Sequence, residues 1–249
     1  MTEAARPVRA FRRRIVLIPR DNAVEAALED NMHHFLAILS HDGERVTAVL
    51  SSSIRTPRTN CADADLPLRG FLGLPLAGES VPLDPRLQCT HLYELVRLAM
   101  ACAIRGSRRQ YDIDVPLWTG ANSTGRLIRD GTPLLEWSLV DQMVTTPGPF
   151  AGIDIKGRIV WPGGLDEDSL EAAKVLRRGI WLGAIRSNNA FITDRREFRA
   201  AIEVREERQR GTCFAHQPGT QELGRSNDGE NIFDFTDRPQ DLLKGIAFA

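Results

Sequence analysis

Cys89, His91 and Glu94 share the short stretch Cys89-Thr90-His91-Leu92-Tyr93-Glu94, where a loop gives way to an apolar pattern of helical period. An imidazole titrates near neutrality. A carboxylate three residues on shares its helical face, where it can orient the ring and raise its basicity. The free N–H groups of a helix N-terminus can receive developing negative charge. His91 and Glu94 are therefore candidates for general acid–base work. Cys89 is a candidate nucleophile, because a helix start and a nearby histidine favour the thiolate. Plain structural alternatives stand beside these roles. His91 can cap the helix, Glu94 can meet one of the many arginines, and Cys89 can be a small residue packed at the helix start.

Metal chemistry has weaker support from spacing. An H-x-x-E pair holds di-metal centres only with matching carboxylates on other helices, and the second helix offers Glu171 without a histidine in register. A zinc site through Cys89 and His91 lacks a companion pair. His33, His34 and His41 could join His91 but read more simply as surface or hairpin residues. The expectation is no metal and no cofactor. Nucleotide-binding loops and the G-x-S-x-G elbow are absent, and Gly70-Phe71-Leu72-Gly73 has too few glycines to cradle phosphate.

Composition narrows the class. With 32 basic against 33 acidic residues the net charge is −1, which gives no field for collecting nucleic acid. The start carries Arg6, Arg9, Arg12, Arg13 and Arg14 but lacks the apolar centre of a signal peptide. No apolar run approaches the roughly 18 residues that cross a bilayer. Cys61, Cys89, Cys102 and Cys213 are widely spaced, which reads as thiols in a reducing cytoplasm rather than a disulfide framework. Four tryptophans, Trp118, Trp137, Trp161 and Trp181, fall in the second half and could line an apolar pocket.

The elements that must position these residues follow from periodicity. Residues 8–19, from Val8 to Pro19, read as a strand, and Val24–Glu29 as another. Met32–Ser40 and Arg45–Ile54 pair across the turn His41-Asp42-Gly43-Glu44. Residues 56–85 form a long, partly apolar connection of the kind that is often functional. A helix spans 89–104, with Thr90 as its N-cap. Tyr111–Leu117, Arg126–Ile128 and Leu134–Val144 read as strands, with a turn at Asp130-Gly131. Gly157-Arg158-Ile159-Val160-Trp161-Pro162 precedes a second helix over 168–185, capped by Asp168 or Ser169. Residues 194–210, from Asp194 to Arg210, suit a solvated helix, and 211–235 look loop-like.

The two hairpin turns and the two helix ends match, which predicts a duplicated unit of antiparallel β-meander plus helix. The expected fold is a single α+β domain over 1–249 with pseudo-repeated halves, about 8–107 and 110–187, and a C-terminal wrapping arm over 188–249. A double hot-dog-like or barrel-like arrangement is one candidate.

Several motifs taken together resemble a known family. Gln88-Cys89-Thr90-His91-Leu92-Tyr93-Glu94-Leu95 resembles the G-C-T-H-L-x-E-L segment of bacterial domain-of-unknown-function family 2889, with Gln88 replacing the glycine. Arg129-Asp130-Gly131 with Trp137, the helix from Glu171 to Arg178, Cys213-Phe214 through Gln217-Pro218, and Asp234-Phe235 resemble its later motifs in the same order. The resemblance implies an accessory protein of aromatic or terpenoid catabolism. It also implies a formaldehyde-releasing lyase acting without cofactor on a hydrophobic, lignin-derived aromatic dimer. In that reading His91 is the base, Glu94 its orienting partner, Tyr93 a phenolate contact and Cys89 a further site residue. Thr90, Arg69, Phe71, Trp137, Trp161 and Arg178 would contact substrate. The alternative is a non-catalytic binding or accessory protein for aromatic or acyl compounds. The expected partner is the small aromatic substrate, with no nucleic acid and no membrane, in a homodimer.

Overall fold

A computed structural model describes residues 9–78, 81–157, 159–190, 195–227 and 232–248; Arg6, Val8, Arg158 and Asp194 lie outside the described residues. The chain is mixed α+β. Eight strands form one open antiparallel sheet in the order β4-β3-β2-β1-β5-β6-β7-β8. The strands are β1 (Ala10–Pro19), β2 (Ala23–Asp30), β3 (His34–His41), β4 (Val46–Arg55), β5 (Arg109–Pro116), β6 (Asn122–Arg129), β7 (Thr132–Val140) and β8 (Met143–Val144). The helices are α1 (Thr90–Arg105), α2 (Glu167–Ala190) and α3 (Arg195–Gln209). Among the described residues no helix is long and apolar enough to cross a membrane.

By its contacts the chain divides into two units. One comprises residues 14–110, 199–233 and 243–249. Here β2, β3 and β4 form a meander, with Ala26 opposite Ala37 and Ile38 opposite Leu50. The predicted turn joins β3 to β4. The Asp42 carboxylate accepts from the Glu44 and Arg45 amides at 2.9 and 2.7 Å, and Gly43 takes φ +99°, which a side chain would resist. Leu92, Leu95, Val96 and Ala99 recur at helical spacing, and they bury the face of α1 that packs on β2 and β3. Gly106 closes α1 at φ +65°, its N–H donating to the Cys102 carbonyl.

The N-cap of α1 is Cys89, not Thr90, and no side chain caps the helix. Thr90 already has helical geometry, so its hydroxyl is one position too late to serve the first turn.

The other unit comprises residues 1–13, 111–198 and 234–242. β6 and β7 pair across Asp130-Gly131, both at positive φ. The sequence suggests a single strand from Leu134 to Val144. The chain instead turns at Asp141 and Gln142, both at positive φ, and returns as β8. α2 starts earlier than its apolar pattern suggests. Its cap is Asp166, whose carboxylate accepts from the Ser169 amide and hydroxyl at 2.7 and 2.8 Å, so neither Asp168 nor Ser169 caps it.

Candidate functional site

The site is built where β2 ends. Asp30 has a relative exposure of 0%. Its Oδ1 accepts from the backbone amides of Met32 and His33, each at 2.8 Å, while its own N–H donates to the His33 carbonyl at 2.8 Å. This Asx turn reverses the chain into β3 and fixes the carboxylate. It also brings the His33 ring back onto the same group, with Nδ1 at 3.0 Å from Oδ1 and 3.2 Å from Oδ2.

α1 supplies the third side chain. His91 is its second residue and has a relative exposure of 7%. His91 Nε2 lies 3.9 Å from Asp30 Oδ2, and the His91 and His33 rings stack with centroids 3.7 Å apart at 27°. The buried Phe35 flanks both rings, with centroids 5.9 Å from His33 and 6.1 Å from His91. Residues 58 positions apart in sequence thus meet at one carboxylate beside a buried aromatic ring.

A row of charges supports this turn from the neighbouring strands. Glu29, His34 and Arg55 lie opposite one another across β2, β3 and β4. Arg55 donates to Glu29 Oε1 at 2.9 Å and to the Asp30 carbonyl at 2.7 Å. Burial pushes the His34 imidazole pKa down. Arg55 adds to this and Glu29 opposes it. The arm after α3 closes the cluster. Phe233 and Asn31 exchange bonds at 2.8 Å, and the Phe233 ring covers the Arg55 guanidinium at 4.2 Å.

The other nominated residues divide between the two units. Cys89 is buried, Thr90 and Glu94 are half-buried on α1, and Arg69 is exposed in a 3-10 turn. The Tyr93 ring leans on the buried Phe71 with centroids 5.5 Å apart. Burial raises the Tyr93 phenol pKa, opposed by Arg97, so the group is a neutral hydroxyl. Cys61 has Cys89 and Cys213 as neighbours. Its thiol is pushed up to about 12, mainly by burial, which removes it as a nucleophile.

Trp137, Trp161 and Arg178 belong to the other unit. There Phe150 joins the two tryptophans, 5.3 Å from Trp137 and 6.5 Å from Trp161. Trp137 and Phe150 line a cavity of about 360 Å³ with Leu135, Pro149 and Ala172. Arg178 is half-buried on α2 and does not line this cavity.

Sequence reasoning missed Asp30 and took His33 for a surface or hairpin residue. The available signal was an Asp in the gap between two strand patterns, the residue type whose carboxylate accepts from backbone amides just ahead of it in an Asx turn.

A scan against protein-family models and searches of curated proteins and of solved structures found no match.

Proposed function

We propose that this chain is an acid–base enzyme, a carbon–carbon lyase that works without cofactor on a hydrophobic aromatic alcohol and releases formaldehyde. One observation carries the acid–base reading: the fully buried carboxyl group of Asp30 lies 3.0 Å from His33 Nδ1 and 3.9 Å from His91 Nε2. An ionised carboxylate only accepts. It therefore selects the His33 tautomer with the proton on Nδ1 and leaves Nε2 as the base. The substrate class rests on the family resemblance of the Cys89–Leu95 stretch.

The chemistry is a retro-aldol step. A base, His33 or His91, takes the hydroxyl proton of a hydroxymethyl group beside a phenol-derived quinone methide. The bond from the hydroxymethyl carbon to its neighbour breaks, formaldehyde leaves, and the electron pair passes through the conjugated system to make a phenolate. A neutral phenol such as Tyr93 can donate to that phenolate. The duplicated meander-plus-helix organisation belongs to this proposal, as does a cytoplasmic location, which four free cysteines favour.

The test is incubation with phenolic lignin-type dimers that carry a hydroxymethyl group, with formaldehyde as the readout. His33→Gln and His91→Gln should each slow release by about 10²–10⁴-fold if they act as bases. Full turnover in both variants would remove the imidazoles from the mechanism. A second reading, a binding protein for aromatic compounds, is favoured by the Trp137–Phe150 cavity. It predicts tryptophan quenching by the same dimers without formaldehyde.

A further inference from the structure

We propose that Asp30 Oδ2, His33 Nδ1 and His91 Nε2 form a binding site for one divalent transition-metal ion of the Zn²⁺ type. The ion would take the place of the proton between His33 and Asp30. The inference deepens the acid–base reading, because it rests on the same three side chains and says what competes with their proton chemistry.

The geometry comes first. One donor atom from each of the three side chains falls within 4.8 Å of the other two. From Asp30 Oδ2 it is 3.2 Å to His33 Nδ1 and 3.9 Å to His91 Nε2. A tetrahedral ion with bonds of about 2.0–2.2 Å sets its ligand atoms roughly 3.3–3.5 Å apart, so the two separations bracket what it needs. Three protein ligands leave a fourth position for water or substrate. Two imidazoles and one carboxylate suit Zn²⁺, Co²⁺, Ni²⁺ or Cu²⁺, whereas Mg²⁺ and Ca²⁺ prefer oxygen alone.

The carboxylate is also held as a ligand should be. Oδ1 is fixed by the Met32 and His33 amides, and these bonds leave Oδ2 facing the imidazoles. Arg55 bonds both the Glu29 carboxylate and the Asp30 carbonyl, which ties the turn to β4. The proton balance is explicit. Binding through His33 Nδ1 moves the proton there: in the neutral ring it passes to the bare Nε2 with no net release, and only a ring protonated on both nitrogens gives one up to solvent. The imidazole lone pairs lie in the ring planes, and stacked rings do not aim them at one point. Binding therefore opens the His33–His91 stack.

The experiment uses the full chain after chelator treatment and dialysis, titrated with Zn²⁺ by calorimetry and with Co²⁺ by visible absorption. The expected result is one ion per chain and a Co²⁺ spectrum typical of four-coordination. Asp30→Asn and His91→Gln should each weaken binding by about 100-fold or more, while His41→Ala, outside the site, leaves it unchanged. Amide-exchange or circular-dichroism comparison confirms that the variants are folded. Absence of saturable binding, or affinity unchanged in folded Asp30→Asn and His91→Gln, overturns the site. Formaldehyde release is measured separately. A metal requirement there would sink the cofactor-free lyase reading while leaving the site standing.

Discussion

Asp30→Asn and Asp30→Ala separate the two jobs assigned to this carboxylate. Asparagine is nearly isosteric, and its oxygen can still accept from the Met32 and His33 amides now held at 2.8 Å. It loses the charge. Hydrogen bonds to charged groups contribute about 1.5–3 kcal/mol against about 0.5–1.5 for neutral ones, so the amide and imidazole bonds each weaken by roughly 1 kcal/mol. Relief of a buried ion's desolvation offsets part of this, and a net loss of about 1–2 kcal/mol is expected. Alanine leaves both buried amides without an acceptor at about 1–3 kcal/mol each, for a total of roughly 3–5 kcal/mol. The local readout is hydrogen exchange at the Met32 and His33 amides, which should stay protected in Asp30→Asn and speed up strongly in Asp30→Ala. For function the order differs. An amide cannot accept the His33 Nδ1–H while its oxygen serves the turn, so both variants should lose about 10²–10⁴-fold in formaldehyde release. Wild-type turnover in Asp30→Asn, or equal exchange rates in the two variants, would refute this division of roles.

Three further outcomes follow from other parts of the chain. His216 is buried, its Nδ1 has no hydrogen-bond partner among the described residues, and burial with Arg58 and Arg205 nearby brings its pKa to about 4. A folded value below the unfolded 6.5 means that its contribution is fully present above pH 6.5 and is lost as pH falls towards 4. After discounting for solvent contact, His216→Gln should remove about 2 kcal/mol of the pH-dependent stability loss over that window, as read by denaturation at both ends. Gly125→Ala would set a Cβ 2.4 Å from Ile180 Cγ1, between β6 and α2. It should cost about 1–3 kcal/mol, and a double-mutant cycle with Ile180→Ala should show favourable coupling; additive losses would contradict the clash. Phe233→Leu keeps apolar cover but removes the ring face from Arg55, and thermal unfolding should show a loss of about 0.5–2 kcal/mol.

The local frame was legible because its signals are local. Asp42-Gly43 and Asp130-Gly131 mark both hairpins, and α1 runs within a residue of its apolar pattern. Errors fell where one side chain decides a boundary: Cys89 rather than Thr90 precedes α1, Asp166 rather than Asp168 or Ser169 caps α2, and two positive-φ residues split β7 from β8. His91 was visible as chemistry because it sits on a helix face whose spacing can be counted. Asp30 was not, because its distance to His91 is set by α1 packing on β2, and no sequence interval encodes that contact. The tryptophans show the same limit. Clustering in the second half is legible, but joining Trp137 to Trp161 takes Phe150 from a loop.

Stability alone does not account for the charges buried at this turn. Taking Glu29, Asp30 and Arg55 out of water costs several kcal/mol per ion, and well-packed apolar replacements of such groups are often neutral or stabilising. Part of the arrangement has a backbone purpose. Asp30 Oδ1 satisfies two turn amides, and Arg55 satisfies the Asp30 carbonyl. An asparagine could make the same two turn bonds at a modest loss. What the turn amides do not account for is the second carboxylate oxygen, which faces His33 at 3.2 Å and His91 at 3.9 Å. A carboxylate is needed there if something positive must sit between those imidazoles, whether a proton being moved or a metal ion being held.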